Sequence, residues 1–392
     1  MCSPCFHDKL SRLQNPVPQH KVVAVRVLMV SKACLVGAYQ RKLEEIARHQ
    51  DVELTVAVPP SWRDERGELL LERAYTTGYD LVVEPIRFNG HFHAHYYPGL
   101  GRLISRIRPD LVHIDEEPYN FATAHATWWS LRSGSRTLFF SWQNLNRRYP
   151  VPFRWFERYV LGRADYGLVG NQAAYEVWRD KGYTGPMSVI PQFGVDPEIF
   201  RPAEQALDSG RGFTIGYVGR FVPEKGVDLL IKTVASLPGA WRLNLAGSGP
   251  DQDELKRLVR ELGIEERVSF DGQIPSTHMP TYFQQLDVLV LPSRTQPNWM
   301  EQFGRVLVEG MACGIAVIGS SSGEIPSVIG DAGLIFQEND VADLRQQLLR
   351  LQQRPDLRRE LGVRGRERVL ERFTQAQIAA QTVAVYREIH PV

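Results

Sequence analysis

An α/β protein built from two doubly wound, Rossmann-like domains facing a cleft is the fold this sequence predicts, on three observations. Short β-branched runs alternate with helical stretches along nearly the whole chain, the signature of βαβ units and parallel sheets. That rhythm lapses between Asp196 and Gly212, where Pro197, Pro202, Asp208, Ser209 and Gly210 give linker composition, and then it restarts. The length, 392 residues, leaves ample material for a hydrophobic core on each side of the lapse.

Val25–Val30 is short, apolar and β-branched, and runs into a polar turn at Ser31-Lys32, so it reads as a buried strand. A helix is expected over Ala38–His49, and Val52–Ala57 is a strand closed by Pro59-Pro60. Further strands follow at Leu81–Ile86, Leu111–Ile114, Thr137–Phe140, Tyr166–Val169 and Met187–Ile190. Helices over Gly99–Ile107, Phe121–Leu131 and Pro152–Leu161 separate them, and the first domain is assigned to 22–195. Beyond the linker, 196–212, strands are expected at Phe213–Val218, Trp241–Ala246, Val268–Phe270, Val288–Leu291, Ile315–Ile318 and Leu334–Phe336. Between them lie helices over Gly226–Ser236, Asp251–Leu262 and Met279–Gln285, and one around Glu309; from Val341 onward the chain reads as helical. This second domain is assigned to 213–374, with 375–392 as a terminal helix. Two such domains place a ligand at the carboxyl ends of their strands, in the cleft.

Composition narrows the classes. Hydrophobic residues make up 43% and charged residues 23%, as in ordinary soluble proteins. A net charge of +1 gives no electrostatic case for nucleic acid. No apolar run approaches the length of about eighteen residues that a membrane span needs. Residues 1–21, with Pro4, Pro16 and Pro18 and no apolar core, are expected to be a disordered tail and not a signal peptide. Four scattered cysteines form no disulfide framework and favour the reducing cytosol. Cys2 and Cys5 make a lone CxxC beside His7, weak evidence for metal or redox work.

Chemistry concentrates in the second half. The strand ending at Val218 opens into Gly219-Arg220 and, five residues on, Lys225-Gly226. A strand that ends in glycine and opens a helix beside cations lets backbone N–H groups approach a phosphate. Arg220 offers a bidentate fork and Lys225 a point charge, suited to a diphosphate. Two more glycine turns follow strands, at Gly247-Ser-Gly249-Pro250 and at Gly272. Asp251 and Asp253 imitate a DxD metal motif but fall at a helix start, where acidic residues complement the helix dipole. In Asn298-Trp-Met-Glu301-Gln-Phe303-Gly304-Arg-Val-Leu-Val-Glu309, two carboxylates stand eight positions apart, one before a helix and one within it. Glu309 lies among apolar residues, where a carboxylate needs a partner, either a protein donor or a ligand hydroxyl. If helical throughout, that spacing separates the backbones by about 12 Å, more than a glycosidase pair uses.

Together these segments resemble the retaining, family-4 type glycosyltransferases (GT-B fold, glycosyl transferases group 1). Glu301 and Glu309 match that family's E-x7-E signature, and Val218-Gly219-Arg220 with Lys225-Gly226 match its VGR-x-x-x-x-KG segment. The resemblance covers most of the chain and is strongest over 213–333. It implies that Arg220 and Lys225 hold the donor diphosphate, that Glu301 contacts the donor sugar and that Glu309 contacts the ribose. Gly219, Gly249, Gly272, Phe303 and Gly304 would complete the donor site. It further implies a nucleotide-diphosphate sugar as co-substrate, no cofactor, no catalytic metal, and a terminal helix that crosses back to the first domain. Envelope polysaccharide or glycolipid synthesis, in the cytoplasm or at the inner face of a membrane, would be the setting.

The first half departs from the family pattern. Where members carry a glycine-rich turn after the first strand, this chain has Lys32 to Ala38 with only Gly37. Where a histidine commonly follows the strand that here is Thr137–Phe140 there is Ser141-Trp142-Gln143-Asn144, so Gln143 takes that place; it hydrogen-bonds but does not titrate. Glu116, with His113, Asp115 and Glu117, ends a strand at the cleft and is an acceptor-side candidate. His91, His93 and His95 alternate, but zinc would want a fourth ligand. The run Arg147 to Tyr159 mixes cations and aromatics; it reads as a helix with its rings inward, while a lipid-linked acceptor would make an anionic membrane surface its partner. Two rival functions share these features: a sugar-nucleotide epimerase of related fold, and a non-catalytic sugar-nucleotide-binding partner.

Overall fold

The computed structural model describes residues 24–64, 67–204 and 212–391. The expected tail, with Cys2 and Cys5, and residues 205–211 of the linker lie outside these residues. The first half comprises β1 (Val25–Val30), α1 (Arg41–Ala47), β2 (Val52–Val58), β3 (Ser61–Asp64), β4 (Gly67–Leu70), β5 (Asp80–Val83) and α2 (Leu100–Ile107). It continues with β6 (Leu111–Ile114), α3 (Phe121–Ser133), β7 (Arg136–Ser141), α4 (Phe153–Leu161), β8 (Tyr166–Val169), α5 (Gln172–Asp180) and β9 (Met187–Val189). The second half begins with β10 (Phe213–Val218), α6 (Val227–Ala235), β11 (Trp241–Ala246), α7 (Gln252–Glu261), β12 (Val268–Gly272), α8 (Met279–Phe283) and β13 (Val288–Leu291). It ends with α9 (Arg305–Ala312), β14 (Ala316–Ser320), α10 (Ile325–Ile329), β15 (Leu334–Phe336), α11 (Val341–Gln353), α12 (Pro355–Arg372) and α13 (Gln375–Ile389).

Two parallel sheets result, ordered β5-β2-β1-β6-β7-β8-β9 and β12-β11-β10-β13-β14-β15 among the described residues. Each grows outward from its first strand in one direction and then in the other. The order therefore reverses between β1 and β6 and between β10 and β13, the two topological switch points. β13 and β14 are buried along their full length, as strands covered by helices on both faces must be.

Alternation along β1 divides the first core. Val27 and Met29 join Leu43, Ile46, Ile378, Val383 and Tyr386 beneath α1 and α13. Leu28 and Val30 face the other way, onto Leu100, Ile104 and Ala126 of α2 and α3. Helix α13 thus returns from the end of the chain to cover the first sheet. His113 Nδ1 and the Tyr386 hydroxyl, 2.7 Å apart, tie it to β6 in the interior, and Arg387 forks onto Asp51 at 2.6 and 2.9 Å.

Several local differences have physical causes. β5 stops at Val83, two residues short of Pro85, which has no N–H for a ladder. The helical run from Val341 is three helices, interrupted ahead of Pro355 and at Thr374, whose hydroxyl caps α13 by accepting from Gln377 N. The β3–β4 hairpin, α5 and α10 are short elements outside the expected rhythm. In the Arg147–Tyr159 run Phe156 and Tyr159 pack inward and Arg154 and Arg158 face outward, as the pattern predicts, but Trp155 departs from it. Glu157 and Val160 are the buried positions of α4, while Trp155 is 59% exposed. An i, i+3 stripe of Glu157 and Val160 turns Trp155 away from the core. No described helix is long and apolar enough to cross a membrane.

Candidate functional site

At the second switch point, β10 ends in Gly219-Arg220 and β13 in Pro292-Ser293. The Gly247 turn lies directly under the first of these: a Cβ at Gly247 would stand 1.8 Å from the Gly219 carbonyl oxygen, and one at Gly249 would stand 2.2 Å from that of Phe221. These glycines therefore shape the 219–221 turn from behind. Gly272, at the end of β12, accepts from Gly247 N at 2.6 Å and extends the support.

Lys225, in a 3₁₀ turn before α6, reaches across to the loop ahead of α9. Its Nζ lies 2.6 Å from Glu301 Oε2, and the Ser293 hydroxyl donates to the same oxygen at 2.9 Å. The Trp299 ring covers the ammonium at 4.7 Å. Glu301 is buried and its backbone is held as well. A Cβ at Gly323 would meet its carbonyl oxygen at 2.1 Å, Glu324 N donates to that oxygen at 3.1 Å, and Asn144 Nδ2 of the first half approaches it at 3.4 Å. Arg220 is exposed, and its guanidinium makes no hydrogen bond or ion pair among the described residues. The site thus joins one engaged cation, one free cation and one positioned carboxylate.

Gly304 takes positive φ, +73°, and caps α9. Phe303 is buried, with ring centroids 5.8 Å from both Trp142 and Phe373, so its side chain packs the junction between halves. Glu309 finds a protein donor: Arg305 Nε, one turn earlier, lies 2.8 Å from its Oε1 and stacks on Tyr39 of the first half at 4.8 Å. Burial raises the Glu309 carboxyl above its usual range despite that partner. Asp253 stands in the first turn of α7, and Asp251 precedes it at the cap position.

The first switch point lies opposite. The Ser31 hydroxyl donates to Asp115 Oδ2 at 2.6 Å, and Lys32 pairs with Glu116. Burial alone would raise Glu116, but Lys32 and His95 outweigh it and hold the carboxyl at about 2. Glu117 accepts from the Ser141 hydroxyl at 2.5 Å and from Trp142 N at 2.8 Å, yet burial pushes it up to about 7. These groups border a cavity of about 730 Å³ lined also by Tyr39, Trp62, Phe92 and Trp142. Gln302 Nε2 donates to the Trp142 carbonyl at 2.9 Å, so this cavity adjoins the Glu301 loop.

Other expected residues are dispersed. Gly37 N donates to Glu72 Oε2 at 2.6 Å. Gln143 turns its Nε2 onto the Leu145 carbonyl at 2.9 Å, leaving Oε1 buried without a hydrogen bond. His113 belongs to the α13 contact and not to the cavity. His93 packs against Tyr119, Tyr149 and Phe153, whereas His95 is fully buried with Nδ1 2.9 Å from the Phe92 carbonyl oxygen. Among the described residues no three His, Cys, Asp or Glu side chains are grouped to hold a metal. Sequence reasoning missed Ser293, Trp299 and Trp62, none of which carries a local signal. The run of three acidic residues from Asp115 was visible, but not that Lys32 and His95 hold Glu116 down while burial pushes Glu117 up.

Two family models match the chain in succession: Glycosyltransferase Family 4 over residues 39–199 and Glycosyl transferases group 1 over 202–368. A D-inositol 3-phosphate glycosyltransferase of Mycobacterium leprae is 35% identical over 182 residues, 42% of this chain and 41% of the relative. An N-acetyl-alpha-D-glucosaminyl L-malate synthase of Bacillus anthracis is 35% identical over 150 residues, 38% of each chain. The chain thus spans about two fifths of the length of these curated relatives. The crystal structure of Anabaena HepE in complex with UDP is similar with a TM-score of 0.71 at 17% identity, covering 93% of this chain and 100% of that one, which is a likeness of fold.

Proposed function

The chain belongs to the family 4 glycosyltransferases of the group 1 type, and from that premise we propose that it moves a sugar from a nucleotide-diphosphate sugar to a saccharide or lipid-linked acceptor, with retention of anomeric configuration. The observation that carries this reading is the Lys225–Glu301 pair beside the free Arg220 at the second switch point. The bond from the anomeric carbon to the diphosphate breaks, and charge grows on the departing oxygen. Arg220 and Lys225 offset that charge; the ammonium has three donors and can hold Glu301 and a phosphate oxygen together. Glu301 orients the sugar hydroxyls, and Glu309 the ribose. The acceptor oxygen forms the new bond on the face the diphosphate leaves, and its proton goes to the departing phosphate oxygen. No cofactor or metal enters the scheme.

The acceptor approaches from the first half, through the cavity beside Glu117. A lipid-linked acceptor would bring an anionic membrane to the α3–α4 face, where Phe121, Trp128, Trp155, Phe156 and Tyr159 line an open apolar groove. Exposed Arg132, Arg154, Arg158 and Arg163 flank it, Arg132 over the Trp128 ring at 4.9 Å and Arg163 over Tyr159 at 4.2 Å. Aromatic rings with surrounding cations suit the interface of an anionic bilayer. The setting proposed is therefore the inner face of a membrane.

The test supplies nucleotide sugars labelled at the anomeric carbon, starting with UDP-sugars, with and without glycoside acceptors, and reads products by NMR. Transfer with retained configuration, reduced at least a hundredfold in Glu301→Ala, is expected. A changed sugar nucleotide formed without any acceptor would favour the epimerase instead, and binding without turnover would favour the regulatory partner.

A further inference from the structure

We propose that the cavity at the first switch point is an acceptor subsite for an uncharged sugar ring, and that it discriminates against phosphorylated and carboxylated acceptors. This rests on the transfer reading above and specifies its acceptor.

Three features of the lining lead there. Rings of Trp62, Phe92 and Trp142 provide apolar faces on which the C–H face of a pyranose stacks. Asp115, Glu116 and Glu117 provide acceptor oxygens for its hydroxyls. Each of these carboxylates has more lone pairs than the protein fills, and Glu116 Oε1, in a side chain almost wholly buried, receives no hydrogen bond, with His95 Nε2 3.5 Å away. The third feature decides the sign of charge. Carboxylates outnumber cations along the lining, and Lys32, the lining cation, is already committed. It pairs with Glu116 and lies beneath the Trp62 ring at 5.3 Å and the Phe92 ring at 4.5 Å.

An anionic acceptor would therefore meet like charge without a free cation to offset it. At about 5 Å and an effective dielectric of about 20, one such carboxylate weakens binding by roughly a hundredfold. A neutral polyol carries no charge for these carboxylates to oppose. Electrostatics at this site favours a neutral sugar ring over a phosphate ester or dicarboxylate.

The experiment uses the full chain with UDP present. Saturation-transfer NMR and tryptophan fluorescence are recorded with methyl α-glucoside, α-mannoside and α-galactoside and methyl N-acetyl-β-glucosaminide, against glucose 6-phosphate and L-malate. At least one neutral glycoside is expected to bind, with transfer to its ring C–H protons, at least tenfold more tightly than either anion. Glu116→Gln releases Lys32 and should raise glucose 6-phosphate affinity at least tenfold while leaving the UDP response intact. Trp62→Ala should remove glycoside binding and also leave the UDP response intact, which reports that the chain is folded. Anions that bind the wild type as tightly as the glycosides, or a Glu116→Gln chain that responds to UDP without gaining the phosphate ester, would overturn the proposal. So would UDP binding with no glycoside binding. Absence of any UDP response would instead strike the transfer reading, and this inference with it.

Discussion

Replacing Arg220 with alanine should leave the free protein's melting temperature unchanged and remove most of its response to diphosphates. The side chain is exposed and makes no described contact, and substitutions of that kind stay within about 0.5 kcal/mol. For a ligand at a hundred times its dissociation constant, the wild type gains about 2.7 kcal/mol. Losing a bidentate charge-assisted contact of about 2.7 kcal/mol weakens the ligand roughly a hundredfold, so at the same concentration only about 0.4 kcal/mol remains. With about 2.1 cal/mol/K of unfolding entropy per residue over 392 residues, the chain melts with about 0.8 kcal/mol/K. The shift with UDP should then fall from about 3 °C to about half a degree. Lys225→Ala makes the contrast, because it breaks a pair already formed in the free protein. It should lower the unliganded melting temperature by about 1–4 °C, from a loss of about 1–3 kcal/mol, and reduce the UDP shift as well. Differential scanning fluorimetry of the three proteins with and without UDP reads both effects. A full UDP shift in Arg220→Ala would refute the assignment of this turn as the diphosphate site.

Glu117 makes stability depend on pH. Its folded pKa, about 7, lies above the ordinary glutamate value of 4.5, so its contribution is full below the lower value and is lost as pH rises through the upper one. At 1.36 kcal/mol per unit this is about 3 kcal/mol, and Glu117→Gln should gain that much relative to wild type between pH 4.5 and 8, read by denaturant titration at each pH. A pH-independent difference would remove Glu117 from that role. Tyr386→Phe leaves buried His113 without its 2.7 Å partner and should cost about 1–3 kcal/mol in urea unfolding. No loss would mean that the His113 contact adds nothing to the hold on α13. Wild type should float with vesicles containing phosphatidylglycerol and not with phosphatidylcholine alone, and Trp155→Ala with Arg158→Ala should reduce flotation severalfold. Equal flotation of that double variant would move the membrane contact elsewhere.

Much of this architecture could be read along the chain because its determinants are local. Fully buried β-branched strands such as Val288–Leu291 and the restart at Phe213 are statements about neighbouring residues, and the sheets follow from their alternation with helices. The second-half site was legible for the same reason: Gly219, Arg220, Lys225, Glu301 and Glu309 lie in short segments whose spacing is itself the signal. Gly323 carries no local mark of its role, because the backbone it must accommodate belongs to Glu301. Trp62 could not be connected to Lys32, since the β3–β4 hairpin that carries it has no rhythm linking it to β1. Nor does any property of Trp155 in isolation show that Glu157 and Val160 take the buried stripe of α4.

The sequence by itself determined the fold class, the order of the strands along the chain and the residues of the glycine turns, because hydrophobic period and turn chemistry act over a few positions. Only the tertiary structure decided that Lys225 meets Glu301, that Arg305 answers Glu309, that Lys32 is already neutralised and that Glu117 is pushed up to about 7. Charge pairing and desolvation depend on what surrounds a group in space, and those surroundings are assembled from strands far apart in the chain.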